Sequence, residues 1–302
     1  MPNRTPLAMV ETLMTQILTL IADRDSTSLT QPVIECVRDV ISGGAITVLS
    51  PGEAVDIDCP IAPDLKQVRA ALNGAQIDAV ATHADNRRKR LLIADMDSTI
   101  ITGETLDELA VFAGIGEKIA AITARAMNGE LNFEAALRER VAMLKGLNVK
   151  ALEQTWAGIR LTPGAMELVA TMKAHGAFTA LVSGGFTFFT SRVAGLAGFD
   201  LHRSNELLDD GTALTGLVAE PIVGRSAKLA TLHDLAAQRG LPLSASLTVG
   251  DGANDLDMLL AAGLGVAFHA KPIVAAAARS RVDHANLRAL LFAQGYPASA
   301  FS

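Results

Sequence analysis

Leu91-Leu92-Ile93-Ala94-Asp95-Met96-Asp97-Ser98-Thr99 is the stretch whose reading decides the fold. Four apolar residues without alternation predict a strand buried on both faces, as in a parallel sheet covered by helices. The run stops abruptly at two carboxylates. Residues 179–182, 247–249 and 265–268 are further apolar runs of this kind, separated by helical periods over 165–175 and 227–239. Short buried strands alternating with helices predict an α/β fold with a doubly wound, mostly parallel sheet. In such sheets ligands bind at the C-terminal ends of the strands.

The polar residues of this region fall at those ends. Asp95 and Asp97 can both be turned toward one site, where like charges are costly without a cation, so a hard divalent metal is implied. Gly250-Asp251-Gly252-Ala253-Asn254-Asp255 follows the third run and adds Asp251 and Asp255. An oxygen-only donor set suits Mg²⁺. Ser183-Gly184-Gly185-Phe186 follows the second run, and a hydroxyl before two glycines lets backbone N–H groups approach an anion. Lys228, near the start of the 227–239 helix, offers a compact positive charge to the same anion. Singly these signals are common, since Ser-Gly-Gly is usually a turn and a helix lysine is usually solvated. Their order, each beside its own strand, is what makes them specific.

Two segments interrupt the alternation. Residues 106–156 are helical in period, with Gly114, Gly116 and Gly129 as breakers, and read as an inserted helical cap. Gly103 and Gly164 flank it as hinge candidates, and Trp156 should pack where the cap returns to the core. Residues 205–219 hold two alternating runs around Asp209-Asp210-Gly211, a β-hairpin signal.

Residues 1–86 differ in character. They carry 5 basic and 11 acidic side chains, so the whole net charge of −6 lies there, while 87–302 balance at 21 of each. Helical spacing over 10–22, 32–40 and 65–72 and short strands at 45–49 and 78–81 predict a small α+β domain without a catalytic cluster. Arg87-Arg88-Lys89-Arg90 reads as a solvated linker into the 87–302 domain. An acidic chain with no aromatic-interleaved basic patch is a poor match for nucleic acid or an anionic membrane. Half of the residues are hydrophobic and only 19% are charged, which excludes a disordered chain. Cys36 and Cys59 make neither a disulfide framework nor a zinc cluster, and the histidines lack metal-like spacing. With no signal peptide pattern and no apolar stretch long enough to span a bilayer, the expected location is cytoplasmic.

The four motifs, with Asp-Met-Asp-Ser-Thr, Ser-Gly-Gly-Phe and Gly-Asp-Gly-Ala-Asn-Asp as they stand here, resemble the phosphoserine phosphatases of the haloacid dehalogenase superfamily. The cap segments 127–134 and 137–141 are similar as well, and the resemblance covers about 91–291. It implies hydrolysis of O-phospho-L-serine to L-serine and phosphate through an aspartyl-phosphate, the last step of L-serine biosynthesis. On this resemblance Asp95 is the nucleophile and Asp97 the acid and base. Mg²⁺ is held by Asp95, the Asp97 carbonyl and Asp251, with Asp255 and Asn254 in support. Ser183, the Gly184 N–H and Lys228 hold the phosphoryl group. Glu104 reads the substrate's ammonium and Arg140 its carboxylate, with Phe133 and Met127 as walls; a forked guanidinium suits a carboxylate. The N-terminal domain is compatible with an ACT-like regulatory module, and since such modules pair through sheet edges or helices a homodimer is expected. A degenerate amino-acid sensor is disfavoured by the intact catalytic set, and a dehalogenase by Asp97, which would have no task in it.

Overall fold

The computed structural model describes residues 15–127 and 131–302. Strands β1 (Gln16–Ala22), β2 (Ile46–Ser50), β3 (Ala54–Cys59) and β4 (Ile77–His83) form an antiparallel sheet in the order β2-β3-β1-β4. Helices α1 (Gln31–Val40) and α2 (Leu65–Leu72) cover one face of it, over a core of Leu18, Leu20, Val37, Val55, Ile57 and Val68.

The helix expected over 10–22 is overturned in its described part, because Gln16–Ala22 is the central strand β1; residues 10–14 lie outside the described residues. The physical reason is burial on both faces. Leu18 and Leu20 meet the helices while Ile21 joins the core of the rest of the molecule, so the strand shows no alternation to set against a helical period. Strand β3 was not anticipated at all.

The second sheet begins with β5 (Leu91–Ala94), which runs into a tight turn at Met96–Ile100. Four helices follow: α3 (Thr105–Phe112), α4 (Gly116–Met127), α5 (Phe133–Ala142) and α6 (Lys150–Gly158). The chain returns through α7 (Ala165–Ala174), β6 (Phe178–Phe186), α8 (Thr187–Ala197) and β7 (Leu201–Asn205), then makes a hairpin of β8 (Leu207–Asp209) and β9 (Leu214–Val218). It ends with α9 (Arg225–Gln238), β10 (Ser246–Gly250), α10 (Leu256–Ala261), β11 (Leu264–Phe268), α11 (Pro272–Ala277), β12 (Ser280–Val282) and α12 (Ala289–Ala293).

The sheet order is β12-β11-β10-β5-β6-β7, every pair parallel. In β5, Leu92 and Ala94 face one hydrophobic core and Leu91 and Ile93 the opposite one, which is why this strand reads as an unbroken apolar run. The cap interrupts the chain between β5 and β6, and the hairpin docks on it through Gly146 N–H to Leu214 O and Leu214 N–H to Leu147 O, both 2.8 Å. Trp156 packs against the main core from α6.

The basic run 87–90 is a correction. Arg87 is mostly buried and forks onto Asp56 of β3 at 2.7 and 3.0 Å, and Arg88 lies over the Tyr296 ring. Lys89 donates to the carbonyls of Asn86 and Ser244. The segment is a fastening between the two sheets rather than a solvated linker.

Candidate active site

Strand ends build the site. Asp95 directly follows β5, and Asp97 is carried by the turn in which Ser98 adopts φ 52°, a left-handed conformation rare for serine. That turn is held by Ser98 N–H to Gly103 O and by Ser98 Oγ to Glu104 Oε1 at 2.9 Å. Glu104 immediately precedes α3 without capping it, and the next residue, Thr105, donates its N–H to Asp97 Oδ1 at 2.8 Å. The other Asp97 oxygen accepts from Ser183 Oγ at 3.3 Å, and Gly185 N–H donates to that same hydroxyl at 2.8 Å.

The two glycines after Ser183 answer to sterics. A Cβ on Gly185 would lie 2.7 Å from Asp97 Oδ2, and one on Gly184 would lie 2.9 Å from the Phe133 ring. Only a bare backbone lets three elements meet here.

Lys228, on the first turn of α9, is fully buried, with Nζ 2.8 Å from Asp95 Oδ2 and 2.6 Å from Asp255 Oδ1. Burial works against its charge, but Asp255 and Asp95 outweigh it and hold the ammonium above the ordinary lysine range. Asp95, Asp251 and Asp255 each present an oxygen within 4.8 Å of the other two. Burial and the charge of Asp95 push Asp255 up to about 8 against the pull of Lys228, and the same two causes raise Asp251. A cation at this cluster would relieve both.

A cavity of about 180 Å³ opens over the cluster, small beside the roughly 300–1,000 Å³ of drug-sized ligand pockets. Asp95, Asp97, Ser183, Gly184, Asp251 and Asn254 line its sheet side, and Glu104, Phe133 and Arg140 its cap side. Phe133 and Arg140 are seven residues apart on α5 and so share a face. Arg140 is half-buried, and its only hydrogen bond among the described residues runs from Nε to Ala136 O of its own helix. Met127 ends α4, but its side chain lies outside the described residues, as do 128–130.

Burial, then the nearby Glu104, pushes the Asp97 carboxyl up to about 7. Its oxygens face Thr105 and Ser183, so among the described residues it is Asp255, not the Asp97 side chain, that completes the acidic cluster. Around the cavity, among the described residues, five carboxylates, Asp95, Asp97, Glu104, Asp251 and Asp255, stand against three basic side chains, Arg140, Lys228 and Lys271. Such a site rejects a phosphate dianion unless further positive charge enters with it.

Two residues of the site went unread in the sequence. Lys271, three residues beyond β11, lines the cavity. Asn205 ends β7, is buried, and ties the loops together: its Nδ2 donates to Gly184 O at 2.8 Å and its Oδ1 accepts from Val223 N–H at 2.7 Å. Both lie at strand ends, the rule that found the others.

The model of the haloacid dehalogenase-like hydrolases matches residues 92–260. A phosphoserine phosphatase of Streptomyces coelicolor is 44% identical over 226 residues, 75% of this chain and 55% of that protein. One of Streptococcus thermophilus is 46% identical over 199 residues, 66% of this chain and 93% of that protein. The crystal structure of a probable phosphoserine phosphatase from Vibrio cholerae superposes with a TM-score of 0.76 at 34% identity, covering 95% of this chain and 88% of that one. The chain spans between about half and two thirds of the length of several curated relatives that it matches.

Proposed function

Because this chain belongs to the haloacid dehalogenase-like hydrolase family and groups there with phosphoserine phosphatases, we propose that it hydrolyses O-phospho-L-serine to L-serine and phosphate. The observation that carries the reading is one small cavity with a nucleophile, acid and phosphate-binding set on the sheet side and a Glu–Arg pair on the cap side. A phosphorylated zwitterion matches that division of charge.

The Asp95 carboxylate attacks phosphorus and the bond to the seryl oxygen breaks. Asp97, whose carboxyl is raised to about 7, gives its proton to that oxygen and releases serine. Water then attacks the aspartyl-phosphate and returns a proton to Asp97, and phosphate leaves with Asp95 restored. Ser183, the Gly184 N–H and Lys228 hold the phosphoryl oxygens in line, and Lys228 also fixes the direction of Asp95. Glu104 takes the ammonium and Arg140 the carboxylate.

Asp95, Asp251 and Asp255 fit a hard divalent cation by their oxygen-only donors and their spacing, and the surplus of negative charge asks for one. Mg²⁺ held there, with the Asp97 carbonyl, supplies charge stabilisation for the phosphoryl group. In this reading the enzyme works in the cytoplasm, closing a route to serine, and residues 1–86 serve as a regulatory or dimerising unit.

The test is phosphate release from O-phospho-L-serine and from other small phosphate esters, with Mg²⁺ and with a chelator. Release is expected only with the metal, greatest for phosphoserine, and abolished in Asp95→Asn. A preference for another ester would move the substrate assignment, and an active Asp95→Asn enzyme would end the covalent route.

A further inference from the structure

Nothing in the reaction above calls for a third basic side chain, yet Lys271 stands at the cavity mouth. Its backbone N–H donates to Asp251 O at 3.1 Å, and Pro272 starts α11 immediately after it, so its Cα is anchored beside the acidic cluster. From there Nζ lies 4.0 Å from Glu104 Oε1 and 3.4 Å from Asp251 Oδ2. Ser98 Oγ donates to that same Glu104 oxygen. The carboxylate assigned to the substrate's ammonium thus already faces an ammonium of the chain's own.

The two lysines of the site differ in freedom. Lys228 is sealed between two carboxylates at 2.8 Å or less, whereas Lys271 is about half exposed, makes longer contacts, and rides a flexible four-carbon stem. It can leave Glu104 and keep Asp251.

Resting on the phosphoserine reading, we propose that Lys271 is a specificity-determining residue: a displaceable internal counter-cation that neutralises Glu104 until a substrate ammonium replaces it. A ligand with an ammonium must displace Lys271 and gains less for doing so. A ligand without one leaves the pair intact and is spared an unpaired carboxylate beside its own negative charge. Lys271 therefore narrows the preference for amino-bearing ligands, and its removal widens that preference.

L-serine and 3-hydroxypropanoate differ by that ammonium alone, so calorimetric titration of the full chain with each measures the preference without turnover. The same ratio in kcat/KM is read from O-phospho-L-serine and 3-phosphooxypropanoate. In Lys271→Gln both ratios should rise about threefold to fivefold, the scale of a half-exposed ion pair, and Lys271→Arg should keep them near wild type. A ratio is independent of the fraction of folded enzyme. An unchanged ratio in Lys271→Gln, an equal loss on both ligands, or a failure of arginine to substitute would each overturn the proposal. A wild-type chain that ignores phosphoserine would remove the parent reading, and the proposal with it. Hydrolysis with an unchanged ratio removes Lys271's role alone.

Discussion

At Gly185 the spacing is so tight that an added methyl would lie 2.7 Å from Asp97 Oδ2, 3.0 Å from Ser183 Oγ and 3.1 Å from Met96 Cε. The carboxylate or the strand end must shift. A misplacement of about 1 Å in a reacting group can cost about 10²-fold, so Gly185→Ala should lose roughly that factor in kcat while keeping its melting temperature within a few degrees. A Gly185→Ala enzyme of normal kcat would show that Asp97 tolerates displacement. Arg140 argues from charge instead. Burial lowers the guanidinium's affinity for the proton, and the charges of Asp107 and Glu104 offset that only in part, since among the described residues its one hydrogen bond goes to a carbonyl of its own helix. Arg140→Ala should cost phosphoserine about 2–5 kcal/mol in kcat/KM and an ester without a carboxylate in its leaving group, such as p-nitrophenyl phosphate, far less. Equal losses would make Arg140 structural.

Elements were legible where chemistry or burial leaves a strong pattern, and illegible where neither does. The runs ending in Asp95, Ser183 and Asp251 are strands, and 32–40 and 65–72 are helices within α1 and α2. Strand β7, Leu-His-Arg-Ser-Asn, escaped because it is an edge strand with only Asn205 fully buried, so no apolar run marks it. Strand β12 is three residues long, too short for any period to declare itself. Missing β7 meant missing Asn205, whose amide holds the Ser183-Gly184-Gly185 end of β6 to the segment that leads into α9 and Lys228. Asn205→Ala leaves the part-buried Val223 N–H and Gly184 O without these partners, at a cost of about 1 kcal/mol each. The expected outcome is a lower melting temperature together with a raised KM for phosphoserine, since both phosphate-binding elements loosen. A variant that loses stability at unchanged KM would confine Asn205 to the fold.

At the scale of the molecule, the acidic excess of residues 1–86 takes on a meaning that composition could not supply. Three of its carboxylates, Glu53, Asp56 and Asp78, are buried, and each turns toward the 87–302 part of the chain. Arg288 forks onto Glu53 at 2.8 and 3.0 Å, Arg87 forks onto Asp56, and Asp78 accepts the N–H groups of Asp283, His284 and Ala285. Around these bonds Ile21, Leu49, Ala54 and Val80 share one apolar core with Leu290 and Phe292. Charge counts reveal a difference between segments, but not that the difference is matched across a seam. A chain starting at Arg87 keeps every residue of the cavity and loses the cover over that core, and it leaves Arg87 without the carboxylate it faces. In the fragment Arg87 and Arg288 meet solvent, so the uncovered apolar face dominates its loss of stability; in the intact chain, removing one partner of such a buried ion pair costs on the order of 3 kcal/mol. The 87–302 fragment is therefore expected to melt well below the full chain and to aggregate through the exposed apolar face, while any folded fraction hydrolyses phosphoserine at the full-length kcat. Adding residues 1–86 as a separate chain should restore the melting temperature. Glu53→Ala in the intact chain isolates one contact and should lower the melting temperature by roughly 5–10 °C without changing KM. A fragment as stable as the whole protein would show that the seam is a contact between independent units, and a folded fragment with no activity would show that the N-terminal sheet shapes the site.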